Sequence, residues 1–247
     1  MSELSESIRK KYLAVQEDIK NAAERAGRDF NSVKLVTVTK AQSIEVTQAT
    51  IEAGATILGE NYPEEGVMKI QFLQNFSAVE WHMIGHVQSR KARDVAENFD
   101  YLHSLDSLKL AKRLDRFCAE AGRSLIVLLE FNVGGEESKG GWPAWDEANW
   151  DDLLTDVTEI LALPNLRVRG LMAMPPLGDV PEFSRPFFQK LKRLQAFLSG
   201  KFPNADFSEL SMGTSFDYEV AVEEGATFVR VGTAIVGARH YDDLENE

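Results

Sequence analysis

The sequence predicts an α/β fold, a single parallel (β/α)8 TIM barrel over residues 1–247 with an additional N-terminal helix, and three observations lead there. Eight short runs rich in β-branched and aliphatic residues recur along the chain, at 33–39, 55–58, 80–84, 100–104, 124–132, 166–172, 207–211 and 227–231. Amphipathic stretches of helical period lie between them. The runs themselves are too apolar for a sheet with one wet face, so both faces are to be covered, as in a parallel sheet wrapped by helices. An open doubly wound sheet is the competing arrangement. A chain of 247 residues is an ordinary length for one barrel and for one domain.

Taken in order, the chain starts with a helical pattern over about 4–26 that ends in "AGRD". The stretches "SIEVTQATIEAG", "VQSRKARDVAENF", "SLDSLKLAKRLDRFCAEAG" and "FSRPFFQKLKRLQAFLSGKF" supply further crossover helices. One region defeats any period: "VGGEESKGGWPAWDEANW" at 133–150 mixes glycines, Pro143 and charges, and is expected to be a long functional loop. No low-complexity segment or linker divides the sequence.

Charge narrows the function classes. With 27 basic and 39 acidic residues the formal net charge is -12, which repels phosphate backbones and argues against a nucleic-acid or anionic-membrane surface. A small phosphorylated ligand remains compatible, because a pocket needs only local donors. Cys118 is the single cysteine, so no internal disulfide can form, and the first residues lack the apolar core of a signal peptide. No run of about 18 apolar residues suggests a membrane span. A cytoplasmic protein is expected.

In a parallel barrel the active residues come from the carboxyl ends of the strands. Unusual residues accumulate there: Lys40, "GEN" 59–61, "HMIGH" 82–86, "HSLD" 103–106, "NVGGEESKGG" 132–141, "MAMPP" 172–176, "SMGTS" 211–215 and "RVGTA" 230–234. An ε-ammonium at the rim of an apolar barrel loses solvation, which lowers its pKa and raises the fraction of neutral amine able to attack a carbonyl. Lys40 is therefore a candidate Schiff-base lysine; the alternative is a side chain that reaches back to water. "LSMGTSFD" and "VRVGTAIVG" each place glycine beside hydroxyl residues after a strand. Backbone N–H groups there, with Ser211, Ser215 and Thr233, could cradle a phosphate, although turn glycines and helix caps read the same way. A reactive lysine on strand 1 and a phosphate cradle at strands 7 and 8 fit pyridoxal 5′-phosphate. Arg230, at the end of strand 8, could meet the pyridine nitrogen and hold it unprotonated, since a guanidinium cannot accept a proton; a structural salt bridge is its other reading.

With these residues in view, the chain resembles the pyridoxal phosphate homeostasis proteins, whose fold is similar to the N-terminal barrel of alanine racemases. The resemblance runs from about Val33 to Arg239 through "VTVTK", "GENY", "WHMIGHVQSRK", "HSLDS", "NVGGEESKGG", "GLMAMPP" and "LSMGTSFDYEVAVEEGATFVRVGTAIVG". It implies that Lys40 forms the Schiff base and that Ser211, Met212, Gly213, Ser215, Gly232 and Thr233 surround the phosphate. It further implies that Arg230 faces the pyridine nitrogen and that Asn61, His82 and Met172 line the pocket. Thr214 departs from the family pattern, which commonly has Met at this position.

Weaker signals point elsewhere. His82 and His86 are four apart, a metal-binding spacing only on a helix, which Gly85 and the strand pattern oppose. His103 and His240 have no partner motif, and Cys118 falls on the apolar stripe of its helix. The cluster Arg90, Lys91 and Arg93 reads as a solvated helix face. Racemisation needs a base on each face of the substrate, and alanine racemases draw the second from a β-rich domain that this chain, ending in "HYDDLENE", is not expected to carry. The expectation is a monomeric PLP-holding protein that could exchange cofactor with apo PLP-dependent enzymes. A PLP-dependent amino-acid racemase or weak lyase is the alternative, and a Schiff-base aldolase the third.

Overall fold

The structure, a computed structural model, describes residues 2–137 and 139–238; His240 and the rest of the "HYDDLENE" segment lie outside them. Helix α1 (Glu3–Arg25) is capped by Ser2, whose side chain accepts from the Ser5 N–H at 3.1 Å. It buries Ile8, Tyr12, Val15, Ile19, Ala22 and Ala23, a single stripe at three- and four-residue spacing. The barrel strands follow as β1 (Lys34–Val38), β2 (Ile57–Glu60), β3 (Glu80–Met83), β4 (Tyr101–Leu105), β5 (Leu125–Asn132), β6 (Leu166–Met172), β7 (Glu209–Thr214) and β8 (Phe228–Val231). Between and after them run α2 (Ile44–Glu52), α3 (Pro63–Phe72), α4 (Ala92–Asn98), α5 (Leu108–Ala121), α6 (Leu154–Leu161), α7 (Arg185–Lys201), α8 (Tyr218–Glu223) and α9 (Thr233–Val236).

Every neighbouring pair of these strands is parallel, β1 pairs with β8, and β4 pairs with β5, so the sheet closes on itself as a (β/α)8 TIM barrel. Closure removes the exposed edges that an open doubly wound sheet would leave. Strand alternation then sorts the side chains. On β1, Val36 points into the barrel while Leu35 joins the larger core between sheet and helices. Val36, Tyr101, Leu128, Met172 and Phe228 fill the barrel interior, and His82 stacks on Tyr101 with ring centroids 4.4 Å apart.

Two local features differ from the sequence expectation. The 133–150 stretch carries structure of its own: a two-residue strand, Trp142–Pro143, pairs with the end of β5, and a 3-10 turn, Glu147–Leu153, leads into α6. Buried Trp142 and Trp150 anchor it, the latter donating from Nε1 to the Ala144 carbonyl at 3.1 Å. Strand β7 also continues to Thr214, past the expected end at Ser211.

Helix α1 packs against α2, α8 and α9. Arg25 bonds Glu219 and Glu223, and the Tyr218 hydroxyl donates to Asp18 at 2.9 Å. The extra helix thus buttresses the two short helices that follow the last two strands.

Candidate functional site

Alternation along the strands sends a defined set of side chains to the barrel mouth. Val38, Lys40, Asn61, Ile84, Arg230 and Gly232 share a cavity of about 310 Å³ with Thr214, Ser215, Phe216 and Thr233. Lys40 is half-buried in the turn after β1. Asn61 follows β2, and its buried Oδ1 has no hydrogen-bond partner among the described residues. A buried amide atom left unpaired is costly unless a ligand completes it.

The wall opposite Lys40 is made by an irregularity in β7. Ser211 aligns with Phe228 but Thr214 aligns with Arg230, so one strand advances three residues where the other advances two. Such a bulge re-aims the side chains beyond it. Gly213 supplies the required backbone, with φ at +90°, and a Cβ there would lie 2.5 Å from the Ala221 Cβ. Buried Asp217 then locks the turn: Oδ1 accepts from the Thr214 N–H at 2.7 Å and from the Thr214 hydroxyl at 3.0 Å, and Oδ2 accepts from Ser184 at 2.7 Å. The Thr214 hydroxyl thus has its partner within its own loop. The Gly232 N–H donates to Ser215 Oγ at 3.1 Å, joining the two glycine motifs into one rim.

Arg230 lies on the cavity floor, 4% exposed. Burial lowers its guanidinium to about 10, which leaves it charged at neutral pH. Its Nη1 donates to Ser211 Oγ at 2.5 Å and its Nη2 to the Ala173 carbonyl at 3.2 Å. A chain continues beneath it: Ser211 Oγ to His103 Nδ1 at 2.7 Å, His103 Nε2 to His82 Nδ1 at 2.9 Å, and His82 Nε2 to Glu80 Oε2 at 3.4 Å. A guanidinium can only donate and an ionised carboxylate can only accept, so the ends fix the polarity. Ser211 donates to His103, His103 donates from Nε2 to His82, and His82 donates from Nε2 to Glu80. Burial holds both imidazoles below the ordinary histidine range, which keeps them neutral as this arrangement requires.

A second inward carboxyl, Glu130, is pushed up to about 7 by burial, with the charge of Asp106 adding to the effect and Arg230 opposing it. Asp106 in turn meets His86 Nδ1 at 2.8 Å.

The structure therefore brings Lys40, Asn61, Ser215, Arg230, Gly232 and Thr233 to one cavity. It sets the other expected residues around it. Gly213 shapes the bulge, Met212 points outward into the core under the helices, and Ser211 lies below Arg230 as its acceptor. His82 and Met172 are one layer deeper in the barrel, beneath the cavity wall. Asp217 and Glu130 had no sequence signal of their own, though each lies within or beside a motif at a strand's carboxyl end, and His103, for which the sequence offered no partner motif, bonds Ser211 and His82. His82 and His86 have separate partners, and among the described residues no cluster of three or more His, Cys, Asp or Glu could hold a metal ion.

Comparison with known proteins gives this geometry a context. The family described as "Alanine racemase, N-terminal domain" matches residues 12–240. The Haemophilus influenzae pyridoxal phosphate homeostasis protein is 39% identical over 234 residues, covering 94% of this chain and 96% of that protein. PipY of Synechococcus elongatus, solved with PLP bound, is 33% identical with a TM-score of 0.76, covering 89% of this chain and all of that one. Alanine racemase of Clostridium difficile shares the fold, with 18% identity and a TM-score of 0.68 over 96% of this chain and 58% of that enzyme. With the barrel, the cavity and near full-length relatives in agreement, the chain belongs to the pyridoxal phosphate homeostasis protein family.

Proposed function

We propose that this protein binds pyridoxal 5′-phosphate in the barrel-mouth cavity, attached covalently at Lys40, and holds, buffers or delivers it without a dedicated turnover. The observation that carries the reading is the meeting, in one cavity, of a primary amine, a buried permanent cation and a hydroxyl-lined rim joined through Gly232. The residues present fit the group. Ser215, whose hydroxyl accepts from the Gly232 N–H and keeps its own proton to donate, and Thr233 put hydroxyl donors suited to a phosphate on the cavity rim, and Gly213 permits the bulge that precedes Ser215. Asn61 offers the unpartnered acceptor Oδ1 noted above. Pyridoxal phosphate, when bound, supplies an aldehyde that a primary amine can attack and a ring that withdraws electrons.

Arg230 donates hydrogen bonds and keeps its own protons, so a ring nitrogen beside it would stay unprotonated and the ring would be a weaker electron sink. Among the described cavity-lining residues, Lys40 and Arg230 are the ionisable ones. Racemisation by two bases needs a second proton acceptor on the opposite face. Tyr218 does not offer one, because its hydroxyl is turned to Asp18 and burial raises its pKa. Tyr62 is about half exposed and outside the cavity lining. Exposed Met174 and Phe216 at the rim leave the mouth accessible, which suits transfer to apo PLP-dependent enzymes.

The test is a spectral titration of the full chain with pyridoxal phosphate, followed by incubation of the loaded protein with individual L-amino acids. Saturable uptake that disappears in Lys40→Ala, without accumulation of D-enantiomer or keto acid, is expected. Sustained turnover that is lost in Lys40→Ala would overturn the binding-protein reading in favour of a racemase or lyase.

A further inference from the structure

Directly behind Lys40, on the outer side of the sheet, three charged side chains are buried together. Lys69 on α3 has no exposed side-chain surface, and its Nζ donates to Glu60 Oε1 at 2.9 Å, Glu65 Oε1 at 2.6 Å and the Thr39 carbonyl at 2.6 Å. Thr39 Oγ1 donates to the same Glu60 oxygen at 2.6 Å. Glu65 Oε1 also accepts the Ala41 N–H at 2.8 Å. Strand alternation explains the placement: Asn61 faces the cavity, so Glu60 must face α3, one turn of which carries Glu65 and Lys69 four residues apart.

The two backbone contacts are the informative ones. The Thr39 carbonyl belongs to the peptide that precedes Lys40, and the Ala41 N–H to the peptide that follows it. One buried cluster thus grips the chain on both sides of the reactive amine. It does so at a strained point. Among the described residues Ala41 alone of the non-glycines has a left-handed backbone, with φ at +54°. Such a conformation persists in an L-residue only when its surroundings enforce it. Stability is a poor reason to bury these charges, since well-packed apolar side chains commonly serve a core as well. The far oxygens of Glu60 and Glu65 are, besides, buried without hydrogen-bond partners among the described residues. Neither Lys69 nor Glu65 lines the cavity.

We propose that Lys69 and Glu65 are positioning residues for Lys40, clamping the 39–41 backbone so that the Lys40 side chain leaves the turn toward the cavity. The inference rests on the reading of Lys40 as the carbonyl-reactive amine. Without the clamp, Ala41 relaxes to negative φ and the Lys40 Cα–Cβ bond is re-aimed.

The test measures how fast Lys40 is acetylated by a small acylating reagent in the ligand-free full chain, by peptide mass spectrometry, with exposed Lys109 as internal reference. Lys69→Met and Glu65→Leu are expected to change the normalised Lys40 rate by roughly tenfold, well within what about 1 Å of misplacement does to a reacting group. Glu65→Gln keeps an acceptor for the Ala41 N–H and retains most of the wild-type rate. Ala41→Gly, which accepts a left-handed backbone freely, restores part of the rate in the Glu65→Leu background, a rescue that general loosening of the fold would not give. Unchanged Lys40 rates in folded Lys69→Met and Glu65→Leu overturn the proposal. Should Lys69→Met fail to fold, the pair Glu65→Gln and Glu65→Leu decides, and equal rates in those two count against it. Adding pyridoxal phosphate and borohydride to the wild type separates the premise from the inference: no modification of Lys40 there refutes the cofactor reading, while the acetylation series still judges the clamp.

Discussion

Single carboxyl groups in this barrel are placed where water is scarce. Glu130 faces inward near Asp106, His86, Lys139 and Arg230, and its carboxyl is pushed from the ordinary value of 4.5 up to about 7. Because the folded protein holds this proton more tightly than the unfolded chain, Glu130 lowers stability progressively as pH rises from about 4.5 through about 7, and not further above. Each pH unit of displacement corresponds to about 1.4 kcal/mol, and each kcal/mol to about 2–4 °C in Tm for a chain of this size. In ligand-free protein, Glu130→Gln is expected to match the wild type near pH 5 and to melt several degrees higher near pH 8. Parallel Tm profiles across that range would contradict the assignment. Glu60 is also pushed up to about 7 by burial, so the Gln variant flattens the profile without abolishing its slope.

The residues that bear on chemistry were legible at this scale when their type was unusual for a strand end. Lys40, Arg230, Ser215 and Thr233 stood out in that way and share the cavity. His82, Ser211 and Met172 also stood out, yet a motif gives residue identity without depth. Whether such a residue meets the cavity or the layer below depends on where along its strand the barrel mouth falls. The hydrogen-bonded line from Arg230 to Glu80 joins four strands, and no local pattern announces it. The same holds for Lys69, whose partners come from the segment just after β1, from β2 and from its own helix.

At the scale of elements, β7 is the decisive one. Its bulge turns "SMGTS" from a strand end followed by a turn into a strand that continues to Thr214 with a changed aim. Met-Gly-Thr carries glycine and a hydroxyl where strands usually stop, which is why the sequence suggests an end at Ser211. Gly213→Ala is expected to cost about 1–3 kcal/mol, because an added Cβ meets both a positive φ and the packed Ala221 and Tyr218. It should also weaken pyridoxal phosphate binding by roughly tenfold or more, a change of about 1.4 kcal/mol. Gly27→Ala is the control: φ there is +65° but nothing lies within 4 Å of the new Cβ, so stability falls modestly and binding is unchanged. Equal binding losses in the two variants would show that the bulge has no special role. The 133–150 stretch, expected as a long loop, is the other element whose structure differs, with a short strand and a 3-10 turn of its own. Its structure is fixed by contacts of Trp142 with Phe131 and Asp156 and of Trp150 with Phe197, outside the stretch, which periodicity cannot register.

For the molecule as a whole, the alternation of apolar runs and amphipathic stretches was enough to give the architecture, since both sheet faces had to be covered. What decided between an open and a closed sheet was the pairing of β1 with β8, a contact between opposite ends of the barrel sequence. Closure is also what brings Lys40, just after the first strand, to the same cavity as Arg230 on the last strand and Thr233 beyond it. The proposed function therefore depends on one covalent attachment at that seam. It is tested most directly by loading the full chain with pyridoxal phosphate, reducing with borohydride and mapping the modified peptide by mass spectrometry. One pyridoxyl phosphate group per chain, located on Lys40 and absent from Lys40→Ala, is the expected result. Saturable binding with the label on another lysine, or on none, would contradict it.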